Sequence, residues 1–132
     1  MKAAFRFSIV GLVATGTHLI VGSALMAGGM RPLLANTIAF LTAFFVSFAG
    51  HYGYSFNGTE VSIRTSLIRF AVVALVGFTV NQAILFELTS RLGAEPIPSL
   101  VVSTGLAALA TFLLSRAWAF RMPGTGSIDA AR

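Results

Sequence analysis

Four long stretches without a charged residue follow one another along the chain and cover most of it. These stretches are residues 7–30, 32–59, 70–86 and 96–115. A helix needs roughly 20 predominantly apolar residues to cross the hydrocarbon core of a bilayer, and each stretch approaches or exceeds that length. The pattern therefore predicts an all-α membrane protein with four transmembrane helices. We place these helices at about residues 7–28, 33–54, 66–90 and 99–120.

Glycine and proline residues mark the predicted helix ends. Gly28-Gly29 should end the first helix, because glycine readily adopts the left-handed conformation of a helix C-terminus. Pro32 suits the first turn of the second helix, and Gly93 is the predicted stop of the third. Residues 1–121 are thus predicted to form one transmembrane domain. Residues 122–132 contain glycine, serine and proline and are predicted to be a disordered cytoplasmic tail.

The composition agrees with a bilayer protein, since 56% of the residues are hydrophobic and 10% are charged. The formal net charge of +5 does not indicate nucleic-acid binding, because the positive residues are sorted between the two sides of the four-span topology. Only Arg31 and Arg91 lie on one side. The other side carries Lys2, Arg6, Arg64, Arg69, Arg116, Arg121 and Arg132. Positive residues stay in the cytoplasm, so both termini are predicted to be cytoplasmic.

A repeated signature divides the chain into two halves. Residues 47–56 and 111–120 can be aligned with an offset of 64 positions, which pairs Ser47 with Thr111 and Phe48 with Phe112. Earlier in each half, Arg6 corresponds to Arg69 and His18 to Asn81. Because each unit crosses the membrane twice, the two halves should insert the same way. The chain is therefore predicted to consist of two parallel two-helix repeats.

Polar residues stand near the middle of two predicted helices. His18 lies eleven residues beyond Phe7, and Asn81 lies eleven beyond Phe70, which is roughly 16 Å along a helix and near the centre of a bilayer. Thr15, at i−3 from His18, is predicted to share its inward face. Polar groups at this depth often serve function, and the alternative is that they only join neighbouring helices.

Small residues form stripes at a spacing of four on the second and fourth helices. The stripe residues are Ala35, Ala39, Ala43 and Ser47, and then Ser103, Ala107, Thr111 and Ser115. Small side chains allow close helix packing in lipid, so these stripes are predicted to be helix interfaces. Beside the first stripe, Phe40, Phe44, Phe48 and Tyr52 form an aromatic ridge.

A group of basic side chains is predicted at the cytoplasmic surface. Arg6, Arg69 and Arg116 should lie at similar depth with His51, and arginine forks match phosphate oxygens. The alternative is that the arginines reach into lipid headgroups and only fix the orientation. Tyr54 and Trp118 are predicted to be aromatic residues of the membrane interface.

The sequence has little material for catalysis. It contains no cysteine, two histidines at different levels, and four acidic residues scattered over loops and ends. No metal-ligand spacing, phosphate-binding loop or nucleophile elbow is present in it. We therefore predict that the protein is not an enzyme and uses no metal or cofactor.

Four motifs together resemble the GtrA-like family of small membrane proteins. They are Arg6-Phe7-x-x-Val10-Gly11 with Thr15, Leu34-Ala35-Asn36-x-Ile38-Ala39-Phe40, Ser47-Phe48-x-Gly50-His51-x-x-x-Ser55-Phe56 and Phe112-Leu113-x-Ser115-Arg116-x-Trp118-x-Phe120. The resemblance extends from about Phe5 to Arg121. The family often has a basic residue directly after the position of His51, where this chain has Tyr52.

The resemblance implies a role in making cell-surface polysaccharides in the bacterial inner membrane. The expected function is to flip a polyprenyl-phosphate-linked monosaccharide across that membrane. Arg116, Arg6, Arg69 and His51 would then receive the lipid phosphate, and His18, Asn81, Asn36 and Thr15 would line the path of the sugar. Four helices are a small enclosure for a sugar, so we expect a homodimer or higher oligomer packed through the small stripes.

Two other functions are compatible with the sequence. The first is a membrane adaptor that anchors a glycosyltransferase, which the same resemblance implies. The second is a small cation or drug exporter, which ranks well below the others because such proton-coupled exporters need a buried acid and the first helix has only His18.

Overall fold

The structure, a computed structural model, describes residues 2–55 and 63–121. Within these ranges it does not describe the side chains of residues 2–4, 7, 54–55, 63, 65–66 and 115–121. Its helices are α1 (Lys2–Ala27), α2 (Pro32–Gly50), α3 (Ile63–Phe86) and α4 (Pro96–Arg121). A π-helical turn, His51–Ser55, continues α2, and a second one, Glu87–Arg91, continues α3.

Four helices in the described part of the chain are long and apolar enough to cross a membrane, and this confirms the predicted all-α membrane class. Their candidate spans are Ser8–Ala27, Pro32–Gly53, Leu67–Arg91 and Pro96–Leu114. α1, α3 and α4 begin three to five residues before the predicted starts. For α1 and α3 the reason is that hydrophobicity reports the part of a helix that lies in hydrocarbon, whereas the hydrogen-bonded helix continues beyond it. α4 begins at Pro96 itself, because proline is tolerated in the first turn of a helix. The predicted tail, residues 122–132, lies outside the described residues.

The glycine stops are where the sequence placed them. Gly29 has a φ of 91° and Gly93 a φ of 65°, a region in which glycine avoids the steric cost of a Cβ. At the end of α1, the backbone N–H of Met30 donates to the carbonyl of Leu25 at 3.0 Å, and that of Gly29 donates to Met26 at 3.0 Å. These two bonds satisfy carbonyls that have no partner further along the helix, and the chain reverses into α2 at once.

Successive helices run antiparallel. Between α1 and α2, a Cβ at Gly50 would lie 3.7 Å from Val10 Cβ, and a Cβ at Gly22 would lie 3.4 Å from Ala39 Cβ. Contacts between the later helices show the same reversed order of residue numbers. They are Phe40 with Phe78 and Phe44 with Phe70 for α2 and α3, then Asn81 with Thr104 and Gly77 with Thr111 for α3 and α4. The parallel-repeat arrangement and the cytoplasmic termini remain predictions.

The small stripe and the aromatic ridge of α2 face different neighbours. Ala35 and Ala39 are fully buried and Ala43 and Ser47 are 8% exposed, and the Gly22 contact shows that Ala39 packs against α1. The aromatic ridge turns to α3. The predicted role of the small stripe in helix packing is therefore confirmed within one chain.

The same burial corrects one expectation. Copies of the chain were expected to pack through the small stripes, but the stripe on α2 is buried inside a single chain. Ser103 and Ala107 of the second stripe are buried as well, at 0% and 5% exposure. Surfaces occupied by the chain's own helices are not available to a second copy, so any oligomer must use other faces.

Candidate functional site

Asn36 is the centre of a buried hydrogen-bonded cluster. Its side chain is fully buried on α2, and its Oδ1 lies 2.7 Å from Nε2 of His18 on α1. Because an amide oxygen only accepts, Nε2 carries the proton in this bond. The Nδ2 group donates to Oδ1 of Asn81 at 3.0 Å and to Oε1 of Gln82 at 2.6 Å. The Asn36 amide therefore links α1, α2 and α3, and both of its Nδ2 hydrogens are donated.

The cluster reaches the fourth helix through Asn81. Its Nδ2 donates to Oγ1 of Thr104 at 3.1 Å, and its Oδ1 accepts a longer bond of 3.4 Å from Oγ of the fully buried Ser103. On the side of α2, Nε2 of Gln82 donates to Oγ1 of Thr37 at 3.3 Å. We call this set the polar network. Its members are His18, Asn36, Thr37, Asn81, Gln82, Ser103 and Thr104.

All four helices contribute to the polar network, which contains no aspartate, glutamate, lysine or arginine. Among the described residues, no buried side-chain nitrogen or oxygen lacks a hydrogen-bond partner. This satisfaction matters because an unpaired polar group is costly in an apolar interior, where hydrogen bonds are also electrostatically stronger. The network therefore stabilises one relative arrangement of the four helices.

Three of the four predicted path residues belong to the polar network. His18, Asn36 and Asn81 are 8%, 0% and 4% exposed, and they form one connected chain of hydrogen bonds. Thr15 instead lies on the exposed surface of α1. It is rotated about 60° around the helix from His18, just beyond the buried strip that runs through His18 and Gly22. The functional roles of these residues stay predictions.

The sequence reasoning missed Gln82, Thr37, Ser103 and Thr104. A usable signal existed for Gln82, because it stands directly beside Asn81 within an apolar span and is an amide that needs partners there. The hydroxyl residues had no such signal. Serine and threonine are common at packed helix interfaces and commonly bond to their own helix, as Thr42, Thr79 and Thr111 do here.

The network lies near the middle of two spans. His18 is ten residues after Ser8 and nine before Ala27, and Thr104 is eight after Pro96 and ten before Leu114. Asn36, in contrast, is only four residues after Pro32. The central position predicted for His18 and Asn81 therefore agrees with their spans. The amide that α2 contributes, Asn36, lies instead in the first turns of its helix.

Three of the predicted phosphate-binding residues lie at one end of the bundle. His51 is 6% exposed, and its ring meets Phe70 edge-on at a centroid distance of 5.7 Å. Arg69 precedes Phe70 and is exposed, and Arg6 is exposed one turn before Val10, which packs against Gly50. His51 opens a π-helical turn, an irregularity that is frequent at functional sites.

The remaining predicted residues are placed only by their backbone. Arg116 and Trp118 belong to α4, whose C-terminal part runs toward this same end because Thr111 lies opposite Gly77. The side chains of Arg116, Trp118 and Tyr54 lie outside those that the structure describes. Their predicted contacts with phosphate and the membrane interface stay predictions.

The opposite end carries an exposed ion pair. Arg91 Nε lies 3.4 Å from Glu87 Oε1, at the i,i+4 spacing, with side chains 69% and 52% exposed. Such pairs contribute little to stability in water. Within the described ranges, no group of three or more His, Cys, Asp or Glu side chains is placed to hold a metal ion.

A family model described as "GtrA/DPMS, transmembrane domain" matches residues 6–124, which is nearly the whole chain. No curated protein and no solved structure matches the chain significantly.

Proposed function

The chain belongs to the family of the GtrA/DPMS transmembrane domain, and from this premise we propose that it flips a polyprenyl-phosphate-linked monosaccharide across the bacterial inner membrane. Membership confirms the family resemblance that the motifs indicated. It makes the protein a multi-pass membrane protein involved in glycan synthesis or sugar-lipid handling. Translocation is the specific step that we propose within that role.

The polar network is the observation that carries the proposal. A sugar headgroup has several hydroxyls, and moving each one into hydrocarbon without a partner costs several kcal/mol on transfer scales, roughly 2–7. Amides and hydroxyls that donate and accept can replace the lost water. The network contains such groups from all four helices, close to the middle of the α1 and α4 spans, and in the proposal they exchange bonds within the network for bonds to the sugar.

The phosphate has a separate place in the proposal. Arg6, Arg69 and Arg116, with His51, would receive it at the cytoplasmic end. Guanidinium groups bind phosphate oxygens by charge-assisted, often bidentate hydrogen bonds, and the exposed ends of Arg6 and Arg69 are accessible to a lipid headgroup. The sugar would then enter the bundle toward the polar network while the polyprenyl tail stays in lipid.

Replacing Arg69 by glutamine tests this placement. In liposomes containing the purified protein and a polyprenyl-phosphate hexose, we expect Arg69→Gln to raise the apparent KM for the lipid about tenfold, equivalent to about 1.4 kcal/mol. The matched control is Arg91→Gln, which removes an arginine at the other end of the same helical segment and should leave KM unchanged. Equal effects of the two variants would contradict a phosphate site at the Arg69 end.

An assembly of more than one chain is part of the proposal. Buried side chains from all four helices meet inside a single bundle, and every described buried polar side-chain atom there has a hydrogen-bond partner. Exposed apolar residues on α3 and α4 leave faces for a second copy or for lipid. We propose a homodimer or higher oligomer that uses these faces. No catalytic residue, metal or cofactor takes part.

One observation favours the adaptor as a second candidate. Because every described buried polar side-chain atom has a partner within the chain, the bundle needs no ligand to be complete. A rigid membrane anchor for a glycosyltransferase would have that property. It predicts that Arg6→Gln and Arg69→Gln weaken co-purification with the enzyme, whereas the purified chain alone moves no lipid.

A further inference from the structure

Gln82 differs from the other amides of the polar network in its exposure and its bonds. Asn36 and Asn81 are buried, whereas Gln82 is half-buried between α2 and α3. Its Oε1 accepts the shortest amide bond of the network, 2.6 Å, from Nδ2 of Asn36. Its Nε2 makes two longer bonds, 3.1 Å to the carbonyl of Leu33 and 3.3 Å to Oγ1 of Thr37. One end of this side chain is therefore held firmly and the other loosely.

The acceptors of Gln82 Nε2 do not depend on it. The carbonyl of Leu33 lies in the first turn of α2, where it accepts the helical bond from the N–H of Thr37. It also accepts from Oγ1 of Thr37 at 2.8 Å. If Nε2 turned away, Leu33 would keep its partners and no buried acceptor would be left unpaired. If the side chain of Asn36 turned away instead, His18, Asn81 and Gln82 would each lose a hydrogen bond.

An apolar surface lies next to this exchangeable donor. Phe40 and Phe78 stack with ring centroids 4.4 Å apart, and both are half-buried. They stand one helical turn from Asn36 and Gln82 respectively, so the stack borders the amides at the seam between α2 and α3. A monosaccharide presents hydroxyls at its edge and carbon-bound hydrogens on its faces, and this seam offers a complementary amide donor beside aromatic carbon.

We infer that Gln82 is the sugar-selecting residue of the protein. Its Nε2 exchanges its bonds to α2 for a bond to one hydroxyl of the sugar headgroup. Asn36 acts as a positioning residue, because it holds Oε1 and so directs the amide hydrogens toward the seam. The inference rests on the proposed function and adds to it the residue that recognises the sugar.

Substrates that lack one hydroxyl give the sharpest test. The purified protein is placed in liposomes with polyprenyl-phosphate glucose or with its 2-, 3-, 4- or 6-deoxy analogues, and initial rates of translocation are measured. We expect the wild type to show about a tenfold higher KM for one of these analogues, the effect of losing one hydrogen bond to a buried partner. Gln82→Met should raise KM for the parent sugar by the same factor of about ten and abolish the preference against that analogue alone.

Two further variants separate recognition from folding. Gln82→Glu keeps an oxygen for Asn36 and leaves at most one acid hydrogen in place of the two amide hydrogens, so it should weaken the same preference that Gln82→Met abolishes. Thr79→Val alters an exposed residue of α3 that bonds only to Leu75 among its described contacts, and it should match the wild type. Vmax per folded protein should stay within about twofold in all three variants, because the bonds of Asn36 to His18 and Asn81 remain.

The outcomes distinguish the inference from the function on which it rests. If the wild type moves the parent lipid but both Gln82 variants keep the preference of the wild type, Gln82 does not select the sugar and the proposed function is untouched. If the variants lower Vmax equally for every analogue without changing KM ratios, Gln82 has only a structural role. If the wild type moves none of the lipids, the proposed function and this inference fail together.

Discussion

Replacing Asn36 by leucine is expected to lower the free energy of unfolding by about 2–5 kcal/mol, since three interhelical hydrogen bonds disappear and each is worth roughly 0.6–1.7 kcal/mol in membrane proteins. The substitution leaves Nε2 of His18 without its acceptor, and it leaves Asn81 and Gln82 without the donor they share. No water is expected in the apolar interior to compensate them. Reversible unfolding by SDS in mixed micelles, followed by circular dichroism, measures the change.

Thr42→Val is the matched control on the same helix. Thr42 is half-buried, and its hydroxyl makes an exposed bond to the carbonyl of Ile38 at 2.9 Å, within α2. Its loss should change the unfolding free energy by less than about 0.5 kcal/mol. An Asn36→Leu protein as stable as Thr42→Val would show that the polar network does not hold the helices together.

Replacing Ala39 by leucine is expected to cost about 3 kcal/mol, at the upper end of the usual penalty for adding carbons to a packed interior. Ala39 is fully buried, and a Cβ at Gly22 would lie 3.4 Å from the Cβ of Ala39. α1 therefore leaves no space for a larger side chain at position 39. To accept leucine, α1 and α2 must move apart, which also stretches the bond from His18 to Asn36. The same SDS titration measures the loss.

Ala49→Leu adds the same atoms to the same helix on its exposed side. In a membrane environment a leucine there meets lipid, and we expect a change below about 0.5 kcal/mol. An equally small change in the free energy of unfolding for Ala39→Leu would contradict the close approach of α1 and α2 at Ala39.

Much of the fold follows from short-range features of the sequence. The uncharged runs predict the four helices, and glycine at positions 29 and 93 predicts where two of them end, because both need a conformation that other residues rarely adopt. The small stripe on α2 predicts one of its packing faces. These features act within one helix, so they can be identified without knowing the neighbours.

The contacts between helices could be predicted only in part. Equal spacing placed His18 and Asn81 at corresponding positions, but it did not show that Asn36 lies between them and bonds to both. That arrangement depends on how far α2 is shifted along α1 and α3 and on its rotation, which periodicity along one helix does not determine. The bonds of Gln82 to α2 could not be predicted for the same reason.

The repeated signature does not have the same backbone in both halves. Residues His51–Ser55 of the first copy form a π-helical turn, whereas the aligned residues 115–119 belong to the continuous helix α4. Aligned side-chain types therefore did not predict the local conformation. The first copy has glycines at positions 50 and 53, where the second has leucine and alanine, and glycine lowers the cost of leaving the regular helix.

The most direct test of the account is the flux of a polyprenyl-phosphate hexose across liposomes that contain the purified chain and no other protein. If the chain translocates this lipid, the rate saturates with lipid concentration, rises with the number of protein copies per vesicle and exceeds the rate of protein-free vesicles. A rate equal to that of protein-free vesicles, from protein whose SDS titration shows it to be folded, would contradict translocation and leave the anchoring role.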